Sequence, residues 1–176
     1  MDLFNDIKAT FARRRFALLW AERPGETSNQ GSYKKRARYE AAGKTGSEAM
    51  KILGMRFCRV AKAPEAAGLA DMLRKLGAPE RQLEGMPANE ATGFSGAVFP
   101  VADNEENSWI EVWPTAEGMP EMVMLQIIVD DADACAENAR KNGLDPKGPD
   151  DAHGERIYYI AGPGGLPISF QSRTDG

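Results

Sequence analysis

An α+β fold of two βαβββ units is the reading this sequence supports. Three observations lead to it. The order strand, helix, strands begins near residue 55 and begins again near residue 121. The closing strands of the two units overlay, Ile110-Glu111-Val112-Trp113 on Ile168-Ser169-Phe170-Gln171. The 176 residues are 42% hydrophobic and 27% charged, which suits one globular body with an added segment.

The elements follow in order. Met55 to Ala61 is a short apolar run suited to a strand. Pro64 to Leu76 has helical spacing, with Ala67, Ala70, Leu73 and Leu76 on one face and Gly77 as the stop. After a polar stretch broken by Pro and Gly, Gly93 to Val101 and Ser108 to Trp113 read as strands around the turn Asp103-Asn104-Glu105-Glu106-Asn107. Pro114 to Pro120 is a linker. The second unit opens with the near-continuous apolar strand Met122 to Val129. Asp130-Asp131 precede a helix from Ala132 to Asn142, ended by Gly143. A second Pro/Gly-rich stretch follows. Arg156 to Ala161 and Pro167 to Ser172 are strands joined by Gly162-Pro163-Gly164-Gly165. That turn leads into a strand and not a helix, so it is no phosphate loop. The units span about 55–114 and 121–173 within a body of 51–176.

Residues 1–50 form a separate arm. Leu3, Phe4, Ile7, Phe11 and Leu18 fall near helical spacing, and Asp2, Asp6 and Arg13 to Arg15 are placed to suit the helix dipole. Glu22 to Ser32 is a linker by composition, and residues 33–50 have little to bury. The stripe suits docking on the body or on a second subunit, or an amphipathic surface helix. Charge divides along the same line, +4 over residues 1–50 and −8 over the remainder. An acidic body argues against nucleic-acid binding.

No apolar run approaches the ~18 residues of a membrane span. Phe16 to Ala21 is shorter than the ~7–15 residues of a secretory core and ends at Glu22-Arg23-Pro24. Cys58 and Cys135 are too few for a disulfide framework, so the expected setting is cytoplasmic. The single histidine, His153, excludes any site needing two and reads as a loop residue open to solvent.

The second unit resembles the glyoxalase/bleomycin-resistance/extradiol-dioxygenase family, the vicinal oxygen chelate superfamily. The residues that carry the resemblance are Leu125-Gln126-Ile127-Ile128-Val129-Asp130-Asp131-Ala132-Asp133-Ala134, a helix to Gly143, Gly148-Pro149, Gly154-Glu155-Arg156-Ile157-Tyr158-Tyr159, and Ile168-Ser169-Phe170-Gln171. It implies a half-barrel of the two units around a cavity. Metal-using members carry four ligands on the first and last strands of each unit, where a divalent ion would hold two adjacent substrate oxygens. Here those positions fall on Glu111, Ser169, Met124 and a residue between Arg56 and Cys58. Glu111 and Cys58 are at best two ligands of the usual three or more.

The expected function is therefore metal-free and cofactor-free: binding or sequestering a small aromatic or hydrophobic molecule, in a homodimer. The alternative is a lyase, isomerase or dioxygenase of the same superfamily, metal-dependent or using Glu111 as base. Strand alternation places Trp109, Glu111 and Trp113 on one face, Met124 and Gln126 on one face, and Ser169 and Gln171 on another. With Cys58 these are the expected ligand-binding residues. A lone buried Glu111 among them would favour a donor-bearing ligand over an anion.

Limited proteolysis should cut first between Glu22 and Ser32, and a product starting between about residue 22 and 55 should stay folded. An insoluble or molten product would show that the arm's apolar stripe belongs to the core or to an interface.

Overall fold

The computed structural model describes residues 50–81, 83 and 92–174. The expected arm lies outside the described residues, apart from Met50. The elements are β1 (Ile52–Ala61), α1 (Ala63–Lys75), β2 (Ala97–Pro100), β3 (Trp109–Pro114), β4 (Met122–Val129), α2 (Ala132–Lys141), β5 (Lys147–Ala152), β6 (Glu155–Ala161) and β7 (Pro167–Arg173). The strands form one mixed sheet in the order β2-β3-β1-β4-β7-β6-β5. It is an open, curved α+β half-barrel.

The first strands of the two units lie side by side at the centre. β1 and β4 are antiparallel, with Arg56 opposite Gln126 and Cys58 opposite Met124. Each unit then returns parallel to its own first strand, β3 beside β1 and β7 beside β4. Alternation sorts the side chains. The convex face is covered near its two sides by the helices. Ala66 and Ala70 of α1 pack with Ala97, Phe99 and Val112, and Ala132 and Ala136 of α2 pack with Val129, Tyr158 and Phe170. The small helix residues let the backbone come close to the sheet. The concave face carries Cys58, Val60, Val98, Trp109, Trp113, Met124, Ile157 and Tyr159.

Several boundaries differ from the expected ones, each for a local reason. β1 starts at Ile52, because the Asp103–Asn107 turn reaches over to it. Asn104 Nδ2 donates to the Leu53 carbonyl at 3.0 Å, and the Met55 N–H donates to Ser108 Oγ at 3.1 Å. The stretch expected to be a strand from Gly93 becomes one only at Ala97, since Gly93 and Gly96 have φ of +67° and +127°. α1 buries Ala66, Leu69, Ala70 and Leu73, whereas Leu76 is its C-cap and 75% exposed. The Pro/Gly-rich stretch before β6 forms β5, an edge strand, where Pro149 costs no ladder bond on the open side. In the first unit, its counterpart among the described residues is a single bridge from Arg81 to Val98.

Gly96 has no room for a side chain: a Cβ there would lie 2.2 Å from the Trp113 ring, at a φ that L-residues avoid. Gly96→Ala should lower the unfolding free energy by about 2–5 kcal/mol in urea titration. Gly93→Ala, with open space around it, should cost about 1 kcal/mol. Equal losses at both positions would mean that the Trp113 contact is not the constraint.

Candidate functional site

The concave face opens into a cavity of about 80 Å³. One water needs ~10–15 Å³ on that scale, so the space suits a single-ring molecule. Its apolar wall comes from Val98, Trp109, Met124, Ile157 and Tyr159. Its polar wall comes from Arg56, Arg81, Glu111, Gln126, His153, Glu155, Ser169 and Gln171.

The overlay of Glu111 on Ser169, carried through the strand pairing, relates positions in the two units. Cys58 pairs with Glu111 in the first unit and Gln126 with Ser169 in the second. With Glu111 overlaid on Ser169 and Trp113 on Gln171, Cys58 falls on Gln126. The antiparallel pairs Arg56–Gln126 and Cys58–Met124 then map Arg56 onto Met124. The position left open between Arg56 and Cys58 is thus Arg56, and the four ligand positions implied by the resemblance hold Arg56, Glu111, Met124 and Ser169. A guanidinium has no lone pair to give, and a thioether is a poor partner for a hard ion. Among the described residues no group of three or more His, Cys, Asp or Glu side chains is placed to hold a metal. This donor set does not fit a divalent ion.

The polar side chains instead bind one another. Arg56 and Glu155, 4% and 8% exposed at their side chains, form a two-pronged pair with Nη1–Oε2 at 2.9 Å and Nη2–Oε1 at 2.7 Å. Gln171 Nε2 donates to Glu155 Oε2 at 2.7 Å, and Ser169 Oγ donates to Gln171 Oε1 at 3.1 Å. Glu111 accepts from Gln126 Nε2 at 2.7 Å and from Trp113 Nε1 at 3.1 Å. Burial raises the Glu111 pKa, while the Trp113 N–H, the Arg56 charge, the Gln126 amide and the Cys58 thiol pull against it. The Cys58 thiol is pushed well up, first by burial and then by Glu111. Burial, helped by Asp150, pushes the Tyr159 phenol up to about 12, so it is protonated at neutral pH.

Two wall atoms have no partner among the described residues, Arg56 Nε and Trp109 Nε1. Both are donors shut away from bulk water, and a buried donor left unpaired costs about 1–3 kcal/mol. The Arg56 guanidinium lies 3.8 Å from the Trp109 ring centroid, and that of Arg81 lies 5.6 Å from it. Arg81 Nη2 donates to the Glu105 carbonyl at 2.9 Å, and among the described residues no carboxylate pairs with it.

Of the residues expected to bind ligand, Trp109, Glu111, Met124, Gln126, Ser169 and Gln171 line the cavity together. Cys58 and Trp113 share the face but belong to the packed layer below the wall, at 0% and 1% exposure. Trp113 acts there through its N–H to Glu111. His153, expected in solvent, is half-buried at the mouth, where φ of +57° turns the chain from β5 into β6. Sequence reasoning missed Arg81, Glu155, Ile157 and Tyr159. The alternation Glu155, Ile157, Tyr159 along β6 was a usable signal for three of them, whereas Arg81 had none.

With the paired units and their shared cavity in place, the architecture is clear. The chain has the vicinal oxygen chelate fold. Solved structures similar to it include a methylmalonyl-CoA epimerase from Mycobacterium tuberculosis, at 16% identity over 70% of this chain and 90% of that one, TM-score 0.48. An NAD-dependent benzaldehyde dehydrogenase from Legionella pneumophila matches at 10% identity over 68% and 98% of the two chains, TM-score 0.47. A glyoxalase/bleomycin resistance protein/dioxygenase superfamily member from Vibrio splendidus 12B01 matches at 9% identity over 70% and 99%, TM-score 0.42. No protein-family model matches the chain, and no curated protein matches it significantly.

Because its folded-state pKa is raised, Glu111 costs stability once it ionises. The cost is absent below the unfolded value near ~4.3 and complete above the folded one. Glu111→Gln should therefore gain in Tm relative to the parent as pH rises from about 4 to 8, by roughly 2–8 °C for each ~1 kcal/mol. A constant Tm difference across that range would show that Glu111 does not titrate in the folded protein.

Proposed function

We propose that this protein binds a small, largely aromatic molecule in its concave cavity without a metal ion, to hold or sequester it. The observation that carries the reading is the set Arg56, Glu111, Met124 and Ser169 at the positions where metal-using members of the superfamily keep ligands. An arginine in a bidentate pair with Glu155 fills one of them with a fixed cation. What remains for recognition is an aromatic and aliphatic wall with a few polar groups, the usual make-up of a small-molecule site. Glu111 as a catalytic base is the weaker reading, because both of its oxygens already accept hydrogen bonds from Gln126 and Trp113.

The homodimer belongs to the same proposal. Leu53, Met55 and Phe57, 42–56% exposed, form an apolar strip on the convex face of β1, between the zones that the helices cover. No helix among the described residues is long and apolar enough to cross a membrane.

A screen of single-ring aromatic compounds read by tryptophan fluorescence should give saturable quenching. The signal should vanish in Trp109→Phe and persist in Trp20→Phe. EDTA should change neither the Tm nor the titration, and dialysed protein should carry no stoichiometric divalent ion. One equivalent of zinc, iron, manganese or nickel retained through dialysis would overturn the metal-free reading.

A further inference from the structure

The polarity of the cavity wall runs opposite to what a lone buried carboxylate suggests. Both Glu111 oxygens already accept hydrogen bonds, from Gln126 and Trp113. Both Glu155 oxygens are taken by Arg56, one of them also by Gln171. The carboxylate oxygens of the wall each accept from a donor of the protein, and Arg56 Nε and Trp109 Nε1 are buried donors with no partner among the described residues. Their residues face one another across the β1–β3 ladder. Both are more than nine-tenths buried, at 4% and 8% exposure, and both line the cavity. Arg81 stands over the same indole, a cation that no carboxylate among the described residues neutralises. Tyr159 also lines the cavity.

We propose that the cavity selects a small aromatic carboxylate, its charge met by Arg81 beside the Trp109 indole and its ring against Met124, Ile157 and Tyr159. The proposal deepens the small-molecule reading above and rests on it. An oxygen anion is the group that a guanidinium holds best. An ammonium group in that place would meet donors and a positive charge. A neutral amide offers one acceptor oxygen and no charge for Arg81.

The test compares benzoate, benzamide and benzylamine by calorimetric titration of the full chain. Benzoate should bind at least tenfold more tightly than benzamide, benzylamine should bind most weakly of the three, and the benzoate affinity should fall as salt is raised. Arg81→Gln, with an unchanged Tm to show that it folds, should weaken benzoate about tenfold and narrow its lead over benzamide. Benzamide or benzylamine binding as tightly as benzoate would overturn the carboxylate assignment and leave the small-molecule reading standing. So would a benzoate affinity that Arg81→Gln does not change. No binding by any of the three would overturn both.

Discussion

The Arg56–Glu155 pair holds the concave face together. It joins β1 to β6, residues 99 apart in sequence, across β4 and β7 in the sheet order. Neighbouring strands lie ~4.8 Å apart, so three steps along a flat sheet would separate the two backbones by roughly 14 Å. Two side chains close that gap with bonds of 2.7 and 2.9 Å on the concave side, where the curl of the sheet shortens the span. The ion pair is therefore a chord across the curve. Taking two charges out of water is expensive, and bidentate geometry with the further donor from Gln171 is what offsets it. Removing either partner would strand a charge in the wall.

From that chord the character of the site follows. Glu155 is satisfied by Arg56 and Gln171, Gln171 in turn accepts from Ser169, and Glu111 is satisfied by Gln126 and Trp113. The network belongs to the protein, and each oxygen of its two carboxylates already accepts from a protein donor. Recognition falls to the aromatic and thioether surfaces and to the few N–H groups that the network leaves over.

How much of this the sequence reveals depends on which physical rule sets each feature. Strand alternation is local, so the face shared by Trp109 and Glu111, and that shared by Ser169 and Gln171, is readable from spacing alone. Alternation gives the face but not the depth, which is why Cys58 and Trp113 come out beneath the wall instead of in it. The overlay of Ile110–Trp113 on Ile168–Gln171 agrees with the strand register because both units repeat the same parallel pairing. β5, Lys-Gly-Pro-Asp-Asp-Ala, has no apolar alternation to betray it and is a strand only because β6 pairs with it. Arg81 and His153 reach the cavity through curvature and a left-handed turn, which are tertiary facts. Arg56 was hidden by a register ambiguity of two residues that only the β1–β4 ladder resolves.

The central place of β1 also has a consequence for how the chain is made. β1 ends at Ala61, its parallel neighbour β3 begins at Trp109, and its antiparallel neighbour β4 begins at Met122. As the chain leaves the ribosome, the strand that will sit in the middle of the sheet is the first of the seven to emerge, and it keeps both hydrogen-bonding edges unpaired until most of the body has been synthesised. An open strand edge is a template for pairing with other chains. Arg56 and Arg59 within β1 place charge on that waiting edge, and charged side chains are a recognised defence against such pairing. The residue that later closes the chord across the cavity is thus one of the charges that the strand carries while it has no neighbour.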